Sequence, residues 1–185
     1  MHVELLSIGA DDLQELAAFY ASEIWPYHSG PPLTTQRVRD RFSAGDYTGP
    51  GRRSFWITRD GRRHGVIRVW DLGTEHDTET PLFDIRVTSA SRGMGIGTDA
   101  VSKLVGWIFR AYPVKSRIEA TTRDDNFAMQ HVLDRCGFVK EAHYRQCWPG
   151  EEGKIHDCFG YAILRSDWET GAITPVIWTE GSMTA

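Results

Sequence analysis

The sequence predicts a mixed α+β fold in which helices pack on a sheet, and two patterns carry that prediction. In the middle of the chain, short strand-like segments follow one another around tight turns, as in an antiparallel hairpin and meander. On either side lie segments whose apolar residues recur three and four positions apart, as in amphipathic helices. The 185 residues give the length of one domain, which is enough to bury a hydrophobic core.

The first part of the chain predicts two helices and an intervening loop. One helix is expected at about 11–23, and a second begins at Thr34 or Thr35 and ends at about Ala44. The loop at 25–32 contains three prolines, which cannot continue a helix. Its aromatic side chains predict either one wall of a binding cleft or a packed surface loop; they are Trp25 and Tyr27.

The rest of the chain predicts six strands, two helices and a tail. The strands are expected at 54–59, 64–72, 82–87, 117–121, 138–144 and 157–164. One helix follows a glycine-rich loop and ends at Pro113, and the other runs from Asn126 to Arg135 before Gly137 stops it. The segment after Trp168 is expected to be a loose tail that packs in part.

The composition excludes several classes of protein. Hydrophobic residues make up 41% and charged residues 25%, so neither disorder nor a fibrous repeat is expected. The net charge of −4 argues against a nucleic-acid partner, because that affinity comes mainly from Lys and Arg. The longest apolar run, 104–109, is far shorter than the roughly 20 residues of a membrane-spanning helix, so no membrane partner is expected. The N-terminus lacks the features of a secretory signal, which predicts a cytoplasmic protein.

The cysteines and histidines show no metal-binding pattern. Cys136, Cys147 and Cys158 are odd in number and widely spaced, which predicts reduced thiols. No group of His, Cys and acidic residues has the spacing of metal ligands, so no metal is expected.

A glycine loop between a strand and a helix is the most informative feature. Gly93, Gly95 and Gly97 allow a tight turn and leave amides uncovered at the positive end of the following helix, where a phosphate binds well. A turn that merely needs glycine gives the same string of residues. The loop is not a Walker phosphate loop, because Thr98-Asp99 stands where Gly-Lys-Ser or Gly-Lys-Thr is required. It is not a dinucleotide fingerprint either, since it lies midway along the chain behind a meander.

The segment 87–97, Val-Thr-Ser-Ala-Ser-Arg-Gly-Met-Gly-Ile-Gly, resembles the acetyl-CoA signature of the GNAT acetyltransferase superfamily. In that signature Arg or Gln, two residues, Gly, one residue and then Gly or Ala open the helix that holds the pyrophosphate. Arg92, Gly95 and Gly97 occupy those places. The segment 126–138 resembles the second family motif, in which an Asn opens a helix that ends in Gly-Phe.

The C-terminal part is similar to one branch of this superfamily. Tyr144, Asp157 and the segment 160–168 resemble the RimJ/RimL branch, which is named for N-terminal acetylation of ribosomal proteins. The resemblance implies an α/β sandwich with a mixed, mostly antiparallel sheet of about six to seven strands and about four helices. It also implies a single acetyltransferase domain at 1–168, followed by a C-terminal tail at 169–185.

The resemblance implies direct transfer of an acetyl group from acetyl-CoA, as cosubstrate, to a primary amine. The Val87 backbone would lie beside the acetyl carbonyl and polarise it, as an oxyanion-hole donor does. The Asn126 side chain would contact the cofactor arm. The residues that the resemblance assigns to the cofactor are Val87, Arg92, Gly93, Met94, Gly95, Ile96, Gly97, Thr98 and Asn126.

The acid and base of the reaction are not fixed by the family motifs. Many members carry a tyrosine acid where this chain has Leu133, and some RimJ/RimL-like members have a serine where it has Met129. The base candidates are therefore Asp84 and Glu119, on the strands that flank the cofactor groove, and Tyr144 is a candidate proton donor to the thiolate.

Other side chains are further candidates for the same roles. Glu23 and Asp71 are less favoured bases, and either His28 or His131 has the chemistry of a base near neutral pH. Asp157 matches a RimJ/RimL position, but a structural acid at the start of the last strand explains it equally well.

The acceptor is open to three hypotheses. The first is a protein N-terminal amine, as in the RimJ/RimL branch. The second is a small polyamine or aminoglycoside, which would need carboxylates in the pocket; acids at 11, 12, 15, 23, 71, 75, 77 and 79 are available. The third is a non-catalytic acyl-CoA-binding regulatory module. The open edges of antiparallel strands also allow a homodimer.

Overall fold

Seven strands form one sheet in the computed structural model, which describes residues 2–28, 30–73, 79–150 and 153–178. The strands are β1 (Val3–Ser7), β2 (Arg53–Arg59), β3 (Arg62–Trp70), β4 (Leu82–Val87), β5 (Arg117–Arg123), β6 (Val139–Pro149) and β7 (Ile155–Leu164). They lie in the order β1-β2-β3-β4-β5-β7-β6. Neighbouring strands are antiparallel except β4 and β5, which run parallel.

Helices cover the two faces of the sheet. They are α1 (Leu13–Ala21), α2 (Thr35–Ser43), α3 (Ile96–Ala111), α4 (Phe127–Arg135) and α5 (Arg165–Thr170). Side chains alternate along a strand, so Trp56 of β2 packs with α1 and α2, whereas Phe55 and Ile57 pack with α3. The sheet therefore lies between two helical layers, and the α/β sandwich predicted from the sequence is confirmed.

Several boundaries differ from the sequence-based expectations. β1 and α5 were not predicted, because five and six residues are too few to show a clear period. The first helix is shorter than expected, since a 3₁₀ turn at Ala10–Asp12 precedes it. β6 continues past Tyr144 to Pro149, and its register with β7 shifts twice. These irregularities interrupt the alternation of side chains by which a strand is recognised in a sequence.

The cysteines correct one prediction. A disulfide joins Cys147 and Cys158 across β6 and β7, with their Cα atoms 6.4 Å apart, so the expectation of reduced thiols is wrong for this pair. The two residues are 11 positions apart, and only the pairing of the two strands brings them together. Cys136 is a free cysteine. In the described ranges, no helix is both long and apolar enough to span a bilayer.

Gly65 sets the close approach of β3 and β4 beside the site described below. A Cβ atom at this position would lie 2.3 Å from the carbonyl oxygen of Arg86. We expect Gly65→Ala to push β4 away and to lower the free energy of unfolding by about 1–3 kcal/mol, as overpacking does. Gly9→Ala, where a Cβ meets nothing within 4 Å, is the matched control. Urea denaturation of the two variants checks this, and equal midpoints would contradict it.

Candidate active site

The parallel strands β4 and β5 separate toward their carboxyl ends. They pair only at Leu82 and Glu119, where the Glu119 amide donates to the Pro81 carbonyl at 2.9 Å. A cavity of about 570 Å³, called the cleft below, is lined by the open end of β4, the glycine turn, α4 and the segment 25–28. This volume is typical of a site for a small organic ligand.

The Val87 amide faces the gap between these strands. Across β3 and β4, the Thr88 amide donates to the His64 carbonyl at 2.9 Å. Hydrogen-bonded and non-bonded pairs alternate in an antiparallel ladder, so the pair Val87 and Gly65 is non-bonded and the Val87 amide points toward β5. The Val87 carbonyl accepts from Nε of Arg92 at 3.1 Å, which holds the start of the glycine turn. The Val87 amide is therefore a free backbone donor in the gap between β4 and β5, and such a donor can polarise the carbonyl of a ligand.

The glycine turn presents the N-terminus of α3 to the cleft. Gly93 and Gly95 have φ angles of 74° and 78°, in the left-handed region that glycine tolerates. Gly95 is the N-cap of α3 and supplies no side-chain cap, so the first amides of the helix are left for a ligand. The positive end of the helix dipole adds to this anion site.

Eight of the nine predicted cofactor residues line the cleft: Val87, Arg92, Gly93, Gly95, Ile96, Gly97, Thr98 and Asn126. Met94 is the exception. Its side chain is exposed, and its carbonyl accepts a hydrogen bond from Arg59. A contact of Met94 with the cofactor stays a prediction.

Helix α4 forms the opposite wall of the cleft. Asn126 caps this helix, because its Oδ1 accepts from the Met129 amide at 3.3 Å. That cap occupies the carboxamide oxygen and leaves the carboxamide nitrogen for a ligand. Met129 and Val132 add apolar surface to the wall. The Asn of the second motif thus starts the helix and faces the cleft at once.

The segment 25–28 closes one side of the cleft. The Trp25 indole donates to the Tyr20 carbonyl at 2.9 Å, and Arg123 donates to the Pro26 carbonyl at 3.0 Å. Glu23 accepts from the Ser89 amide at 3.0 Å, which ties the end of α1 to the turn after β4. These contacts from three elements hold the segment in place. Of the two alternatives predicted for this loop, the structure supports the wall of a cleft over a packed surface loop.

A buried charged cluster lies behind that wall. The Asp84 carboxylate contacts His28 Nε2 at 2.8 Å, Arg86 Nε at 3.3 Å and Arg68 Nε at 3.4 Å. Burial raises the pKa of Asp84, but the hydrogen bond from His28 and the charges of His28, Arg86 and Arg68 outweigh it, so the pKa lies well below its ordinary value. These three partners already engage the Asp84 carboxylate, and Asp84 does not line the cleft, so the geometry argues against Asp84 as the base.

The other two predicted catalytic residues lie away from the cleft. Glu119 lies at the closed end of β5, paired with Arg117 at 2.9 Å, because the strands are still joined there. Tyr144 is exposed on β6 and rests against Gly160 of β7. Neither residue lines the cleft, so the structure does not bring the three predicted catalytic side chains together.

The less favoured candidates have other partners. The Glu23 carboxylate is held by the Ser89 amide, and Asp157 accepts from the Gln146 amide at 2.8 Å and contacts His143 at 2.7 Å. His131 lines the cleft from α4, whereas Asp71 does not line it. Asp157 therefore has the structural role that was the alternative at the sequence level.

One group of side chains has a metal-ligand composition within the described part of the chain. Ligand atoms of Asp124, Asp125 and His156 lie within 4.8 Å of one another, which spacing along the sequence did not reveal. Arg123 already takes both oxygens of Asp125, at 2.6 and 2.9 Å. Arg123 therefore already occupies part of this possible ligand set. The group does not line the cleft.

Sequence reasoning missed the role of Arg86. This arginine lines the cleft from β4, and the alternation of side chains places it on the same face as Asp84. The alternation along β4 is evident in the sequence. The cluster also needs His28, which lies 56 positions before Asp84 on a loop, and no sequence pattern connects the two.

Comparisons with known proteins agree with the fold. The model of the family described as an acetyltransferase (GNAT) domain matches residues 2–139. Among solved structures, a spermidine N-acetyltransferase from Vibrio cholerae in complex with CoA and spermine has a TM-score of 0.73 at 16% identity, over 91% of this chain and 98% of that one.

Two further structures resemble the chain. A chimera of the Vibrio cholerae enzyme and hSSAT has a TM-score of 0.77 at 16% identity, over 91% of this chain and 99% of that one. A GNAT-family acetyltransferase from Streptococcus pneumoniae has a TM-score of 0.72 at 19% identity, over 88% and 99%. No curated protein matches the sequence.

Proposed function

The chain belongs to the GNAT acetyltransferase family, whose enzymes use acetyl-CoA, and from this premise we propose that its acceptor is the primary amine of a small molecule. The observation that carries the proposal is the cleft wall formed by the segment 25–28. The cleft has a volume of about 570 Å³, and hydrogen bonds hold this segment across the side that we assign to the acceptor. A fixed wall on that side favours a small amine over a protein chain.

The residues present fit acetyl-CoA. The uncapped amides at the start of α3 suit its pyrophosphate, and the apolar side chains of Met129 and Val132 suit its pantetheine arm. Bound there, the cosubstrate supplies an activated acetyl group as a thioester. The Val87 amide polarises the carbonyl, and the walls of the cleft hold the amine in line with it. Orientation of this kind contributes up to roughly 7–11 kcal/mol in favourable cases.

A polyamine acceptor is supported by the structural neighbours. The Vibrio cholerae structure contains spermine, and it covers nearly the whole of this chain at low identity. This support favours the second acceptor hypothesis over a protein N-terminus. The residues that suggested the RimJ/RimL branch do not strengthen the first hypothesis, because Tyr144 and Asp157 lie outside the cleft lining.

An acceptor panel tests the proposal. Thiol release from acetyl-CoA is measured with small amines, including spermidine and amino acids, and with N-terminal peptides of at least eight residues. We expect saturable turnover with one or more small amines and little with the peptides. Turnover confined to the peptides would overturn the proposed acceptor, and tight acetyl-CoA binding without turnover on any amine would favour a regulatory module.

A further inference from the structure

The charged cluster on the acceptor side has a surplus of positive charge. Asp84 is one carboxylate that serves two arginines and a histidine. The sum over Asp84, Arg68 and Arg86 is one net positive charge, and all three side chains are less than one-fifth exposed. Buried charge without a full complement of partners is costly, so such a cluster favours a further anion.

Arg86 is the member of the cluster that reaches the cleft. Its side chain is 8% exposed, and its guanidinium stacks over the rings of Tyr20 and Trp25, at 4.9 and 5.5 Å. Among the described residues its one hydrogen bond runs from Nε to Asp84. Its two terminal nitrogens have no acceptor there, although the residue lines the cleft. A fixed guanidinium with two open donors suits a bidentate carboxylate.

Neighbouring groups lack acceptors in the same way. The hydroxyls of Tyr20 and Tyr47 are buried and make no hydrogen bond. Burial raises the pKa of both tyrosines, so both hydroxyls keep their protons as donors. Buried polar groups are nearly always satisfied in native proteins, and these two hydroxyls lack acceptor oxygens.

We propose that the acceptor carries a carboxylate, which Arg86 binds while the amine of the same molecule reaches the acetyl carbonyl beside Val87. This inference rests on the proposed function and specifies its substrate class. Arg86 and Val87 are consecutive in β4, with Cα atoms about 3.8 Å apart, so one small molecule spans both. The substrate is an amine of the amino-acid type, and a polyamine would instead set ammonium groups against Arg86.

Pairs of amines that differ only by a carboxylate test the inference. Lysine is compared with cadaverine, and tyrosine with tyramine, by thiol release from saturating acetyl-CoA. We expect the wild-type protein to have at least a 10-fold higher kcat/KM for the carboxylate-bearing member of a pair. Equal kcat/KM values for the two members of a pair, or a higher value for the decarboxylated amine, would overturn the inference with the wild-type protein alone.

Substitution of Arg86 assigns the preference to this residue. Arg86→Gln is expected to raise KM for the carboxylate-bearing amine about 10-fold or more and to remove most of the difference in kcat/KM between the two members of a pair. Asp84 keeps Arg68 and His28 as partners in this variant. Arg86→Lys should restore part of the preference. Arg39→Gln, an exposed position on α2, is the matched control. A preference that survives in Arg86→Gln would overturn the assignment.

The proposed function and this inference fail in different ways. Turnover with spermidine but with no amino acid would overturn the carboxylate inference and leave acetylation of a small amine standing. Absence of turnover with every small amine would overturn both.

Discussion

Replacing Gly97 by glutamate is expected to weaken acetyl-CoA binding by roughly 100-fold or more, which corresponds to about 3 kcal/mol. Gly97 lines the cleft in the first turn of α3, whose uncapped amides are the proposed site of the pyrophosphate. The new carboxylate would compete for those amides and repel the phosphates. A Cβ at this position makes only an ordinary contact, 3.5 Å from Val132, so the chain accommodates it.

The fold itself should not suffer from this change. A negative charge in the first turn of a helix interacts favourably with the dipole, by about 0.3–1 kcal/mol at an exposed site. Gly97→Gln has the same size without the charge and is the matched control, for which we expect a clearly smaller loss of affinity. Titration calorimetry with CoA and thermal unfolding check both variants. Unchanged affinity in Gly97→Glu would show that the phosphates do not bind at this turn.

Asp84→Asn is expected to lower the free energy of unfolding by about 3–5 kcal/mol, as the loss of one partner from a buried ion cluster does. The substitution leaves Arg68 and Arg86 buried with no counter-charge. Since domains of this size are stable by only about 5–15 kcal/mol, the variant should be close to its unfolding threshold at room temperature. Asp46→Asn removes a more exposed carboxylate that also pairs with two arginines, and we expect it to cost about 1 kcal/mol.

The pH dependence of stability gives a second readout of the same cluster. The pKa of Asp84 in the folded protein lies below its unfolded value of about 3.9. Its stabilising contribution is therefore complete above that pH and is lost as the pH falls toward the folded-state pKa. The stability gap between wild type and Asp84→Asn should narrow as the pH falls below about 4. Urea denaturation at several pH values measures the gap, and a gap that widens in acid would contradict this assignment.

The glycine turn and the helix starts that line the cleft were predictable from the sequence because they are local. The strand β4, the glycine turn and the start of α3 are contiguous, and each has a backbone requirement that leaves a mark in the sequence, such as the glycines with positive φ. The Asn that opens α4 is predictable for the same reason, since it caps the helix that it starts.

The wall at 25–28 and the charged cluster behind it were not predictable in the same way, because they are assembled from distant segments. His28 and Trp25 come from a proline-rich loop, Arg68 from β3 and Asp84 from β4, and only the fold brings them together. Asp84 and Glu119 are predicted as bases because they lie on the strands that flank the groove. Which end of β5 stays joined to β4, and which carboxylate is already paired, depends on tertiary contacts.

The structural neighbours and the charges of the cleft point to different acceptors. The Vibrio cholerae structure contains spermine on a similar fold. In this chain the carboxylates of Asp84 and Glu23, near the segment 25–28, already contact His28 and the Ser89 amide. Fold likeness at 16% identity does not carry a substrate with it, since acceptor loops diverge faster than the scaffold.

The initial-velocity pattern with two substrates tests the central claim most directly, which is that acetyl-CoA and a small amine share one cleft and react there without a covalent intermediate. Thiol release is measured over a grid of acetyl-CoA and amine concentrations, with the best acceptor from the panel. Double-reciprocal lines that intersect are the predicted result, because both substrates must be bound together. Parallel lines, which show that the first product leaves before the second substrate binds, would contradict the account.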